Sequence, residues 1–213
     1  MRFTHFVLVL GALSFSACGG TVLVDFSDLS TVRETSSVVP VQVGDRFNVG
    51  DILIESQTGV RIVVLPFRWP GPAHDAGCPP GWTTSGNVAV VQDSMSGGTG
   101  TEIQFNNASL GIIAPVNQTV SHLEFKFGEH GGNVNVIVNG TLYQAEDFRS
   151  IPTIPGVNMI VMGTTPFGTV EMSGAINPFY YSFPCPAGFP TSQFTAVVGG
   201  GQELWIDDVE FTQ

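Results

Sequence analysis

The chain is expected to fold as an all-β protein, a two-sheet antiparallel β-sandwich of jelly-roll type preceded by a signal peptide. Three observations point there. Roughly a dozen short β-branched or aromatic runs are separated by glycine, asparagine and aspartate turn signals. No 3.6-residue periodicity persists beyond the N-terminal segment. Charged residues make up only 12% of the 213, against about 25% in typical soluble domains, which suits a sheet surface and not a helical one.

The elements follow in order. Thr21 to Phe26 (TVLVDF) alternates Val22, Val24 and Phe26 against Leu23 and Asp25 and forms the first strand. Residues 27 to 37 are polar and loop-like. Val38 to Val43, Ile52 to Glu55 and Val60 to Phe67 follow, separated by Gly44-Asp45, Gly50-Asp51 and Thr58-Gly59. A proline-rich stretch, residues 66 to 82, breaks the pattern as a long loop, and loops of that length inside a domain are usually functional or disordered. Gly86 to Gln92, Thr101 to Phe105 and Leu110 to Ala114 are strands around a glycine-rich turn, Ser96 to Gly100. In Val120 to Gln144, Leu123, Phe125 and Phe127 alternate with His122, Glu124 and Lys126. Val134, Val136 and Val138 then run into Asn139-Gly140, the pair that tolerates positive φ in a type I′ hairpin turn, and Thr141 to Gln144 returns. Val157 to Met162 and Thr169 to Met172 are strands. Asn177 to Pro190 is a second proline-aromatic loop, and Thr195 to Val198 precedes the last strand. Residues 21–213 are expected to form one domain, a common size for a single sandwich.

That last strand, GQELWIDDVEF over Gly201 to Phe211, poses a problem of phase. Strict alternation from Trp205 puts Asp207 on one face and Asp208 with Glu210 on the other, so one acid must point inward. The alternative is a β-bulge at Asp207 and Asp208, which lets Leu204, Ile206, Val209 and Phe211 share the buried face and turns both acids toward a rim.

The formal net charge is −11, with Lys126 the single lysine. Nucleic acid is therefore excluded as a partner class, since phosphate binding needs a basic footprint. Acidity by itself is otherwise a solubility device.

Residues 1–17 carry Arg2, an apolar run from Phe6 to Phe15, then Ser16 and Ala17 before Cys18. This is a signal-peptide pattern, and no later stretch approaches the roughly 20 apolar residues of a membrane span. Phe15-Ser16-Ala17-Cys18 resembles the bacterial lipobox, departing from it at Phe15, where leucine is usual. The resemblance implies lipidation at Cys18, with residues 18–20 as a lipidated cysteine and short tether, a membrane contact through the lipid anchor only, and an exported lipoprotein at the outer membrane or cell surface. Ordinary signal-peptidase cleavage is the alternative, for which Phe15 is also a poor residue. With Cys18 so assigned, Cys78 and Cys185 are left as an even pair in an oxidising compartment, and a disulfide between them is expected. Its closed loop exceeds about 100 residues, worth on the order of 4 to 5 kcal/mol by loop entropy.

The two end segments TVLVDF and ELWIDDVEF, with the middle segment HLEFKFGEHGGNVNVIVNG, resemble the jelly-roll sandwiches of the galactose-binding-like superfamily, which includes many carbohydrate-binding modules. That resemblance implies a structural calcium where first and last strands meet, with Asp207 as first ligand and Asp25 or Asp28 as partners. Calcium takes six to eight oxygen donors, so backbone carbonyls would complete the set.

If bonded, Cys78 and Cys185 clamp the two proline-aromatic loops and gather Trp69 and Trp82 with Phe179, Tyr180 and Tyr181. Such rings stack on sugar faces, and Arg68 and Asn177 stand ready for hydroxyls. The competing reading is that the aromatics only roof one end of the sandwich. Function is accordingly expected to be non-catalytic binding of a glycan or cell-envelope component. A sandwich-fold polysaccharide hydrolase or lyase and a structural or adhesive envelope protein are the alternatives. The carboxylates Asp93, Glu102, Glu124 and Glu129 have no spacing that fixes a catalytic pair, and Glu129-His130 is expected to be a solvated pair in a turn.

Overall fold

The computed structural model describes residues 20–32, 38–55, 58–66, 87–93, 95–115, 118–130, 134–145, 156–164, 167–181, 192–200 and 203–213. Among the described residues, eighteen strands form two large antiparallel sheets and a small ribbon. The strands are β1 (Thr21–Val24), β2 (Leu29–Val32), β3 (Val38–Pro40), β4 (Arg46–Phe47), β5 (Ile52–Glu55), β6 (Arg61–Pro66), β7 (Asn87–Gln92), β8 (Thr101–Asn106) and β9 (Ala108–Ile113). After them come β10 (Val120–His130), β11 (Val134–Val138), β12 (Thr141–Ala145), β13 (Val157–Thr164), β14 (Phe167–Ile176), β15 (Phe179–Tyr181), β16 (Ser192–Phe194), β17 (Ala196–Gly200) and β18 (Glu203–Thr212).

Sheet A runs β13-β14-β10-β18-β8-β7-β4, with β1 also paired to β18; sheet B runs β12-β11-β17-β9-β6-β5-β2-β3. The central strands correspond across the sandwich: β10-β18-β8-β7 in sheet A are the chain neighbours of β11-β17-β9-β6 in sheet B. The register puts Pro66 beside Ala108, Ala108 beside Gly200 and Gly200 beside Val134. The connections joining these four central pairs therefore leave from one end of the sandwich. The result is a two-sheet antiparallel β-sandwich with one hydrophobic layer between the sheets.

That layer follows from period-2 alternation. Leu123, Phe125 and Phe127 of β10 are at most 1% exposed and face Val134, Val136 and Val138 of β11, while Glu124 and Lys126 point outward. The β11–β12 hairpin forms as its sequence predicts, Val138 opposite Thr141, with Asn139 and Gly140 at φ 51° and 75°. Among the described residues no helix is long and apolar enough to cross a membrane.

Three local expectations need correction. The polar segment 27–37 contains β2, because Leu29 and Thr31 turn inward and are buried. The second proline-aromatic segment is not all loop, since β15 pairs with β16. Glu129 is 6% exposed within β10 rather than solvated in a turn. The signal peptide and Cys18 lie outside the described residues, as do Arg68, Trp69, Cys78, Trp82 and Cys185, so neither the lipid nor the disulfide expectation meets a structural observation.

Candidate functional site

The last strand resolves its phase by the bulge. Opposite β10, Glu210 pairs with Glu124 and Asp207 with Lys126, so Asp208 and Val209 together face Phe125 alone. Asp208 takes φ 44° to accommodate the extra residue. A non-glycine residue in that region costs on the order of 1–3 kcal/mol. Without the bulge, Val209 and Phe211 would leave the core, at about 1.5–3 kcal/mol each, so the strained backbone wins. Leu204, Ile206, Val209 and Phe211 accordingly share the core, each at most 1% exposed.

The acids do turn to the outer face of sheet A, but the rim expected there is covered: Asp207 is 0% and Asp208 8% exposed. The cover is the β7–β8 connection, whose glycine run brings backbone directly onto the sheet. A Cβ on Gly98 would lie 2.2 Å from Asp207 Oδ2, and one on Gly128 of β10 would lie 2.2 Å from the Met95 carbonyl oxygen. Polar bonds fasten this cover. The Met95 and Ser96 N–H groups donate to the fully buried Glu102 carboxylate, Ser96 at 2.8 Å. Thr99 donates to Asp208 Oδ1 through its N–H (3.3 Å) and hydroxyl (2.8 Å). The chain's single lysine, Lys126, donates to Asp208 Oδ2 at 2.8 Å.

Asp93, Asp207, Asp208 and Glu124 thus all act on the Lys126 ammonium group, and Glu102 acts on Asp93 and Asp207. Burial pushes the Asp207 carboxyl up to about 8; the Asp208 N–H opposes this, and the charges of Asp208, Asp93 and Glu102 add to it. Asp93 is raised by burial and by repulsion from Glu102 and Asp208. Lys126 is raised first by its hydrogen bond to Asp208. Asp207 Oδ1 accepts the Asp208 N–H at 2.7 Å, whereas Oδ2 and the Ser96 hydroxyl are buried without a hydrogen-bond partner.

The residues expected to hold calcium, Asp25, Asp28 and Asp207, come from the two ends of the chain, and both Asp25 and Asp207 border the 98–100 run. Asp25 and Asp207 do lie near each other's end of the seam, since β1 pairs with β18 from Thr21↔Thr212 to Val24↔Val209. Asp25, however, turns Oδ1 onto the Ser27 N–H of its own turn, and Asp28 is exposed. Among the described residues no three histidine, cysteine or acidic side chains are grouped to hold a metal ion.

The other candidate surface is the outer face of sheet B. There Leu65, Ile113, Ile137 and Val197 form a second apolar cluster, and the β15–β16 ribbon covers it with Tyr181 and Phe194. Phe194 sits directly on Gly111, where a Cβ would come within 2.4 Å of its ring. Alternation then sorts the aromatics: Tyr181 is buried, Phe179 packs edge-on against it at 6.4 Å, and Tyr180 projects outward at 74% exposure. Roofing and presentation are therefore divided between neighbouring residues. Asn177 is used locally, its N–H donating to Asn139 Oδ1 and its Oδ1 accepting from Thr119.

On the same face, the register aligns Leu65, Ser109, Gly199 and Asn135 in one row. Asn135 is 3% exposed, and both its amide oxygen and nitrogen lack hydrogen-bond partners. No protein-family model, curated protein or solved structure matches the chain.

Of the other carboxylates considered for catalysis, Glu102 is committed to loop amides, Glu124 lies outward 3.8 Å from His122, and Glu129 is buried in the core-facing phase of β10. Sequence reasoning missed Asn135 and the covering role of residues 95–100. The Ser96-Gly97-Gly98-Thr99-Gly100 run was a usable signal for the second, because glycines permit close backbone approach. Asn135 carries no such signal, since an asparagine between two valines of a strand reads as an ordinary outward-facing residue.

Proposed function

We propose that the chain is an envelope-anchored, non-catalytic binding domain whose ligand is carbohydrate, exported by residues 1–17 and held to a membrane by lipid at Cys18. The observation that carries the ligand class is Tyr180, a ring 74% exposed on a ribbon whose neighbours on both sides are anchored. An immobilised exposed aromatic stacks on the apolar face of a sugar with little ordering entropy to lose.

A glycan array and polysaccharide pull-down with residues 21–213 tests this. Binding without product release is the expected result; reducing-end or unsaturated products would establish a hydrolase or lyase instead, and no binding to any glycan would end the proposal. Tyr180→Ala is expected to lower affinity at least tenfold while leaving the melting temperature within a degree or two, because its ring contributes little to the core. Full affinity in that variant rules out the ribbon as the site. Asn135→Leu is expected to melt higher than the unsubstituted chain, since it removes an unsatisfied amide.

A further inference from the structure

We infer that Gln193 is the specificity-determining residue of the sugar site on the β15–β16 ribbon, its side-chain amide binding two neighbouring hydroxyls of the pyranose that stacks on Tyr180. This rests on the carbohydrate reading of Tyr180 and narrows it to sugars whose stacked unit carries an unsubstituted vicinal diol.

The register of the ribbon brings the two side chains together. β15 and β16 pair antiparallel as Phe179↔Phe194, Tyr180↔Gln193 and Tyr181↔Ser192, and residues directly opposite in such a pair project from the same face. Burial settles which face is which. Tyr181 is 5% and Phe194 1% exposed, and Phe179 packs against the same apolar cluster on sheet B. Alternation then leaves Tyr180 and Gln193 as the outward pair, with Cβ atoms about 5 Å apart. No other strand residue of the ribbon shares that face.

The chemistry of this pair is complementary to a stacked sugar. Tyr180 alone cannot discriminate, because any pyranose with an apolar face satisfies an aromatic ring; a few placed polar groups supply orientation and specificity. When a pyranose lies on the ring, its equatorial hydroxyls point sideways around the rim. The cross-strand neighbour stands at that rim. A glutamine amide presents an acceptor oxygen and a two-proton nitrogen side by side, so one hydroxyl donates to it while the next accepts. With two donors and two lone pairs, the amide has capacity beyond any single local bond.

Nuclear magnetic resonance on nitrogen-15-labelled protein, titrated with cello-, xylo-, manno- and galactohexaose and with their fully O-methylated forms, tests the inference. The Gln193 side-chain amide signals are assigned by their loss in Gln193→Glu. The expected result is that the hexaose that moves the Tyr180 ring signals moves the Gln193 amide signals over the same concentration range. Gln193→Leu is expected to weaken that hexaose about fivefold or more, the scale of one or two hydrogen bonds at an open surface, with an unchanged circular dichroism spectrum because the residue faces outward. The O-methylated form is expected to bind parent and variant equally weakly. Tyr180 signals that move while those of Gln193 stay in place overturn the inference and leave the carbohydrate reading standing, as does full affinity in Gln193→Leu or an O-methylated sugar bound as tightly as the free one. If no hexaose moves the Tyr180 signals, the carbohydrate reading fails and the role of Gln193 falls with it.

Discussion

Asp207→Asn is expected to flatten the pH dependence of stability between about pH 4 and pH 8, and to make the protein more stable than its parent at pH 8.5. The unfolded chain releases the Asp207 proton near the ordinary aspartate value of about 3.9, whereas the folded chain keeps it up to about 8. Between those limits the native state binds one more proton than the unfolded state, so stability falls as pH rises, with a slope approaching 1.4 kcal/mol per pH unit. Above pH 8 the folded group is also ionised and this contribution is gone. Asp93, raised in the same sense, adds to the decline, while Lys126, raised by its bond to Asp208, holds its contribution until the pH passes its own elevated titration. Asparagine keeps an acceptor for the Asp208 N–H, removes the titration, and offers donors to the surrounding carboxylates. Denaturant midpoints at pH 5.5, 7 and 8.5 provide the measurement; parallel pH profiles for parent and variant would refute the assignment. With a proton on Asp207 balancing this cluster, chelator is expected to leave the parent's melting temperature unchanged at each pH, and a fall of several degrees would show that a cation balances it instead.

Gly128→Ala is expected to destabilise the protein by about 1–3 kcal/mol, the usual cost of overpacking. The added carbon meets a backbone carbonyl, that of Met95, at 2.2 Å, so no side-chain rotation relieves the clash. Residues 95–100 must lift or β10 must shift. Lifting breaks the bonds from Met95 and Ser96 to Glu102 and admits water to Asp207. The variant is therefore expected to lose part of the pH dependence along with its stability. At roughly 2–4 °C per kcal/mol for a chain of this size, thermal melts resolve the change. An alanine variant melting with its parent would show that the cover does not rest on β10.

How much of this was legible beforehand depends on the range over which each feature is encoded. The alternation of Leu123, Phe125 and Phe127 and the Asn139-Gly140 turn are local, and both stand in the fold. The bulge was legible as one of two alternatives, because the hydrophobic phase changes between Ile206 and Val209 whatever the partner strands are. The cover over Asp207 was not: the glycine run looks like any turn until Gly98 is placed on β18 and Met95 on β10, two strands beyond the strand it leads into. The β15–β16 ribbon was hidden for a related reason. Phe179–Tyr181 lies in a proline-aromatic stretch, and its pairing partner begins only at Ser192. Alternation with Val134 and Val136 puts Asn135 on the outer face of β11, and only the surroundings of sheet B close it off.

The place of β18 in sheet A governs the order in which the chain can acquire structure. β18 lies between β10 and β8, and its far end carries β1. The strands on either side of that gap, residues 101–106 and 120–130, are complete long before residues 203–212 are available. Until then each has an unpaired edge facing the other, and the acids of the bulge have no sheet to cover. Closure must await contacts separated by about a hundred positions in sequence, and such non-local pairing makes folding slow. Synthesis thus leaves a long interval in which the open centre of this sheet is the most aggregation-prone surface the molecule ever presents.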